Sequence, residues 1–214
     1  MKHWHEVLPG RYGIVDRFNH LYPVRHAPAD FRATLEIGAG LGEHLDYEKL
    51  TPEQASNYWA IDIRANMVEE LNRRHPEVHG LVGDCQARLD FPDGHFDRIL
   101  AIHVLEHLPD LPKTVAEMHR LCHPVRGRLS VVIPCEGGLA YGLARRVSAQ
   151  RIFEKRYKQS YRWFIEREHI NRPHEIIGEL TPHFDIVHRS FFPLLLPAVA
   201  FNLCIGLTLK PRSR

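Results

Sequence analysis

The chain has 214 residues, enough for one domain with a sizeable core and too few for two full ones. Its 28 Lys and Arg against 26 Asp and Glu leave a formal net charge of +2, so no global basic field draws it to nucleic acid. Cys85, Cys122, Cys135 and Cys204 are widely spaced with no C-x-x-C pair, which argues against a zinc ribbon, a thioredoxin-like motif or a disulfide framework. They read as reduced thiols, and the polar start "MKHWHEVLPGRYG" lacks the apolar core of a secretory signal, so a cytoplasmic protein is expected.

Residues 1–30 carry Trp4, Tyr12, Phe18 and Tyr22 among histidines and prolines that argue against one long helix. This piece is either a cap or a loosely packed extension. From residue 31 the chain alternates strand and helix signals. "ATLEIG" (33–38), "YWAIDI" (58–63), "HGLVG" (79–83), "FDRILAIH" (96–103) and "RLSVVIP" (128–134) are short apolar runs bounded by turn residues. Between them, residues 65–75 place Met67, Val68 and Leu71 on one helical face, and residues 111–122 do the same with Leu111, Val115, Met118 and Cys122. Strand, helix, strand, with runs apolar on both faces, predicts a parallel sheet covered by helices.

The first strand runs into "LEIGAGLGEHL" (35–45), where Gly38, Gly40 and Gly42 permit a tight turn and close backbone approach by a ligand. Glu43 stands where a dinucleotide fingerprint wants Gly or Ala, which counts against NAD. Glu36, an acid near the end of a buried strand, calls for a cation such as a ligand ammonium. Asp62 ends the second strand, where a carboxylate can accept both hydroxyls of a ribose, and Asp84 follows the third. Taken singly, each acid is more often a loop or capping residue.

Together, "LEIGAGLG", "AIDIRANMVEEL", "GDCQARLDFPDGHFD" and "ILAIHVLEHLPD" resemble the class I S-adenosylmethionine-dependent methyltransferases, in particular the group with a "VLEH"-type sequence after the fourth strand. The resemblance covers residues 31–134. It implies a Rossmann-like α/β fold with a seven-stranded, mostly parallel sheet in the order 3-2-1-4-5-7-6, strand 7 antiparallel, and S-adenosyl-L-methionine as cofactor. It also implies that Glu36 and the turn Gly38, Ala39, Gly40 and Gly42 border the methionine part, Asp62 holds the ribose, Ile63 packs on the adenine, Asp84 and Cys85 meet its edge, and Ile102 and His103 lie under the amino-acid end.

"HVLEH" (103–107) also spells one zinc-peptidase motif. Its place at a strand end, rather than inside a long helix, and the lack of an identifiable third ligand argue against a metal there. His103 remains a candidate base.

Residues 135–172 stand where such enzymes carry a substrate-binding insertion. Arg145, Arg146, Arg151, Lys155, Arg156, Lys158, Arg162 and Arg167 mingle there with Phe153, Tyr157, Tyr161, Trp163 and Phe164, a mixture suited to a phosphate- or sugar-bearing acceptor or to an amphipathic helical cap. Glu136, His169 and Asn171 bracket the segment and are expected to face the acceptor, with His103, His169 and Glu136 as catalytic candidates. Residues 173–214 supply a last helix and two strands. The apolar stretch from Ser190 to Leu209 is broken by Pro193 and Pro197 and reads as strands joined by a link rather than a membrane span.

The whole is therefore expected to be a single domain. The resemblance implies methyl transfer; a small molecule, glycan or secondary metabolite is expected as acceptor, at oxygen in preference to nitrogen because of the histidine candidates. The alternatives are a non-enzymatic binding protein on this fold and a methyltransferase acting on a lipid-linked acceptor at the membrane surface. Nucleic acid is disfavoured as a substrate, because "HVLEH" lacks the Asn/Asp-Pro-Pro-aromatic sequence that holds a base amino group.

Overall fold

The computed structural model describes residues 9–147 and 149–213. Trp4, and the side chains of Tyr12, Arg145, Arg151, Arg156, Arg162 and Phe164, lie outside the described residues. Strands β1 (Thr34–Ile37), β2 (Tyr58–Asp62), β3 (His79–Val82), β4 (Arg98–Ile102), β5 (Arg128–Pro134), β6 (Phe184–Phe192) and β7 (Cys204–Pro211) form one sheet. Its order is β3-β2-β1-β4-β5-β7-β6, with β7 antiparallel to both neighbours and the first five strands parallel. This is the topology that the methyltransferase resemblance implies.

Every residue of β1 is buried, because helices cover both faces of the central sheet and allow an uninterrupted apolar run. α3 (Ala65–Arg74) turns Met67, Val68 and Leu71 inward, and α4 (Leu111–Leu121) turns Leu111, Val115 and Met118 inward. Short α2 (Pro52–Ser56) starts on a capping box in which Thr51 and Gln54 exchange hydrogen bonds. Residues 135–172 hold three helices, α5 (Leu139–Val147), α6 (Ala149–Tyr157) and α7 (Tyr161–Glu168), with Phe153, Tyr161 and Ile165 packed into a small core of their own. α8 (Pro173–Leu180) then leads to β6.

The N-terminal expectation is corrected. α1 covers Pro9–Arg25, a continuous helix of 17 residues. Pro23 falls in its last turn, where a missing N–H ends the ladder rather than breaking it. Nor is α1 loosely attached. Tyr22 is buried over β7 at Gly206, where an added Cβ would come within 2.6 Å of the ring. Its hydroxyl reaches Thr208 Oγ1 at 3.1 Å and His188 Nδ1 at 3.0 Å.

A buried charge network pins the same end of α1. Arg98, fully buried at the start of β4, donates from Nη2 to Glu48 Oε1 at 2.5 Å and to the Pro23 carbonyl at 3.4 Å, with its guanidinium over Phe31. His44 Nε2 lies 2.7 Å from the same Glu48 oxygen. Burial pushes the His44 pKa down to about 4; burial would raise that of Glu48, but His44 and Arg98 outweigh it and hold it at about 2. The apolar stretch from Ser190 to Leu209 is the end of β6, a link containing a 3-10 turn (Val199–Phe201), and β7. Among the described residues no helix is long and apolar enough to cross a membrane.

Candidate active site

The carboxyl ends of β1, β2 and β4 meet at the glycine turn. Gly38, Gly40 and Gly42 have φ of +69°, +59° and +80°, the left-handed region that favours glycine. A Cβ on Gly38 would stand 2.6 Å from Val104 Cγ2, so the turn nests against the loop after β4. Ala39 N–H donates to the Ile61 carbonyl, and Gly40 N–H donates to Asp62 Oδ2 at 3.0 Å. The terminal acid of β2 thus clamps the turn of β1.

Asp62 accepts more than that bond. Arg64 N–H and Nε donate to Oδ1, each at 2.9 Å, and Arg64 Nη2 donates to Oδ2 at 3.0 Å. Burial would raise the Asp62 pKa, but Arg64 and the Gly40 N–H outweigh it and hold the carboxylate below its ordinary range. The guanidinium that covers this carboxylate belongs to a side chain that is 41 % exposed. Ile63, beside Asp62, is 64 % exposed, an apolar surface open to a planar ligand. Asp84 Oδ1 accepts from the backbone and side-chain amides of Gln86, a local turn bond. Cys85 is buried and its thiol is pushed up to about 11 by desolvation, so the backbone there, not the thiol, is what an adenine edge could meet.

Glu36 is 3 % exposed and accepts from the Tyr58 hydroxyl at 2.7 Å. Burial raises its pKa to about 8 against the lowering effect of Tyr58, so at neutral pH the carboxyl is mostly protonated. The cation that the sequence calls for is replaced, in the free protein, by a proton and a phenol.

Above β4 and β5 lies a second cluster. Ile102 ends β4, and His103 follows at φ +52°. His103 Nδ1 lies 3.1 Å from Glu106 Oε1, and its Nε2 lies 3.9 Å from Cys204 Sγ. Burial opposes charge on this ring, but Cys204 and Glu106 outweigh it and raise the pKa above the usual histidine value, which favours a donor over a base. Glu106 and His107 belong to a 3-10 turn (Leu105–His107), and His169 caps the end of α7. His169 Nδ1 is hydrogen-bonded to the Glu136 carboxylate, and the His107 and His169 rings meet edge to face at 4.7 Å. Asn171, expected to face the acceptor, is instead a brace: its Nδ2 donates to the Leu105 and Leu108 carbonyls at 2.9 and 2.7 Å. The fold brings the sequence candidates His103, His169 and Glu136 into one region, with Glu106, which the sequence reading did not name as a site residue, between them. An acid buried in a turn next to a strand end is the signal that could have found it.

The positive-φ glycine turn, acids at three strand ends and exposed Ile63 fit a nucleoside with an amino-acid tail. The sheet order and the layout of these strand ends are those of the class I methyltransferase fold. Residues 35–129 match the family model described as a methyltransferase domain. Over 90 residues it is 27% identical to malonyl-[acyl-carrier protein] O-methyltransferase of Serratia marcescens. That stretch is 42% of this chain and spans about a third, 34%, of the relative's length. Among solved structures, a protein of Pyrococcus horikoshii OT3 superposes with a TM-score of 0.64 at 15% identity, covering 99% of this chain and 100% of that one. The N-methyltransferase NodS of Bradyrhizobium japonicum, in complex with S-adenosyl-L-homocysteine, gives 0.62 at 16% identity, covering 92% and 87%. At such identities the structural likeness establishes the fold.

Proposed function

We propose that the protein transfers a methyl group from S-adenosylmethionine to an oxygen of a small-molecule acceptor bound above the ends of β4 and β5. The observation that carries this is the His169–Glu136 pair standing beside Glu106, which meets His103 just after β4. The cofactor supplies an electrophilic methyl on a sulfonium, so the chain has three tasks: to hold the acceptor in line, exclude water and receive the proton of a hydroxyl. Asp62 holds the ribose, Ile63 the adenine face, and Ile102 with His103 the amino-acid end. His103, Glu136 and His169 form the acceptor side, where the hydroxyl proton passes into the histidine–glutamate cluster. The Serratia relative is by name an O-methyltransferase, which supports oxygen.

The α5–α7 segment supplies the acceptor's outer contacts. Arg146, Lys155, Lys158 and Arg167 are exposed on it, and the Arg167 guanidinium lies 4.6 Å from the Trp163 ring, an arrangement suited to phosphate or sugar. The test is S-adenosylhomocysteine release with a panel of hydroxyl, carboxyl and amine acceptors. Turnover that prefers hydroxyl or carboxyl compounds and falls in His169→Ala supports this assignment; turnover confined to amines removes the oxygen assignment.

A lipid-linked acceptor is a second reading, favoured by one observation. Leu139, Leu143, Leu195, Leu196 and Phe201 are all more than half exposed. Gly138 packs against the Val199 carbonyl, which puts the start of α5 beside the 193–203 link. Co-sedimentation with anionic liposomes tests it, and protein left wholly in the supernatant excludes it.

A further inference from the structure

The turn after β4 and the end of α7 are fastened backbone to backbone. Ile170 and Asn171 N–H both donate to the Glu106 carbonyl, at 2.9 and 3.1 Å, and the Asn171 side chain closes the joint on Leu105 and Leu108. Sequence neighbours Glu106 and His107 are thereby held against His169, 62 residues on. One donor atom from each of the three lies within 4.8 Å of the other two.

Three features of this trio have no use in a purely structural joint. Glu106 Oε2 is buried without a hydrogen-bond partner, and its side chain is only 2 % exposed. A carboxylate oxygen in that position is costly unless a cation meets it. Each histidine has its Nδ1 taken by an oxygen acceptor: His107 by the Glu168 carbonyl at 2.7 Å and His169 by the Glu136 carboxylate. With Nδ1 carrying the proton, Nε2 of each ring keeps its lone pair. An acceptor on the far nitrogen is how ligating histidines are oriented and made more basic.

We propose that Glu106, His107 and His169 bind a divalent transition cation, with Glu136 and the Glu168 carbonyl as the outer partners that orient the two rings. Two imidazoles and one carboxylate form the donor set of catalytic zinc sites, which keep a fourth position open; hard cations such as Mg²⁺ prefer all-oxygen sets. Donors around a tetrahedral zinc stand about 3.4 Å apart. The trio must therefore contract, and the His107 side chain, 36 % exposed, is the least enclosed of the three. The third ligand that the motif alone could not supply comes from the insertion. Resting on the oxygen-acceptor reading above, the open position would receive the acceptor oxygen and lower its pKa.

The test is calorimetric titration of Zn²⁺ into the chelator-stripped full chain, beside Mg²⁺ and with S-adenosylhomocysteine binding measured on the same samples. One Zn²⁺ per chain is expected, weakened more than about 100-fold in both His107→Ala and His169→Ala and unchanged in the exposed control His174→Ala. Retained S-adenosylhomocysteine binding identifies folded variants. The proposal is overturned by a wild-type protein that binds S-adenosylhomocysteine but takes up no Zn²⁺, or by unchanged Zn²⁺ affinity in both variants. Zn²⁺ uptake without S-adenosylhomocysteine binding would leave the metal site standing and remove the methyltransferase reading instead.

Discussion

Replacing Glu36 with Gln is expected to change how stability depends on pH. In the folded protein the carboxyl has its pKa raised by burial from 4.5 to about 8. A raised folded pKa means that the native state holds its proton more tightly than the unfolded chain does. The resulting stabilisation is full below the unfolded value and is lost as pH rises through the folded one. Between pH 5 and pH 9 the loss comes to about 4 kcal/mol, at 1.36 kcal/mol per unit. Gln keeps an oxygen for the Tyr58 hydroxyl and has no charge to acquire. Urea unfolding of both proteins at pH 5, 7 and 9 should therefore show the variant gaining about 4 kcal/mol on wild type across that range. Parallel profiles would mean that Glu36 is ionised and solvated in the native state, and the account of its burial would be wrong. If a cofactor ammonium reaches this carboxyl, S-adenosylhomocysteine binding at pH 7 also releases a proton, seen as a binding enthalpy that varies with the buffer.

Asp62→Ala should weaken S-adenosylhomocysteine binding by about 10- to 100-fold, the worth of hydrogen bonds to a charged group, whereas Arg64→Ala should leave it unchanged or tighter by removing a competitor; calorimetry on both decides. Gly38→Ala combines a φ of +69° with a Cβ 2.6 Å from Val104 and should cost about 2–4 kcal/mol in urea unfolding. Glu48→Ala leaves the buried Arg98 without its carboxylate and should destabilise by about 3–5 kcal/mol at pH 7, read in the same assay.

The strands of the parallel half were legible because burial on both faces leaves an unbroken apolar signature, and β5 runs over the residues its sequence predicts. Arg98 was not: a charge inside a strand contradicts that signature, and its partner Glu48, which also meets His44, lies about 50 residues away. α1 was hidden by its histidines and prolines, since its helical form is set by docking on β7, which no local pattern records. Local periodicity places Glu36, Asp62 and Asp84 because they sit at or just after the ends of successive strands. The pairing of Glu136 with His169, and of both with the turn at Glu106, arises when the insertion folds back, a contact between residues far apart in sequence.

Because Tyr22 on α1 is seated in the notch at Gly206 on β7, the first described helix cannot finish packing until one of the last strands has formed. Loops that close over so many residues form slowly, so during synthesis α1 waits with its apolar side uncovered. The β6–β7 hairpin thus acts as the latch of the whole domain. A nick or deletion there would release the helix at the opposite end of the chain, and protease sensitivity of α1 would report on the state of the C-terminal strands.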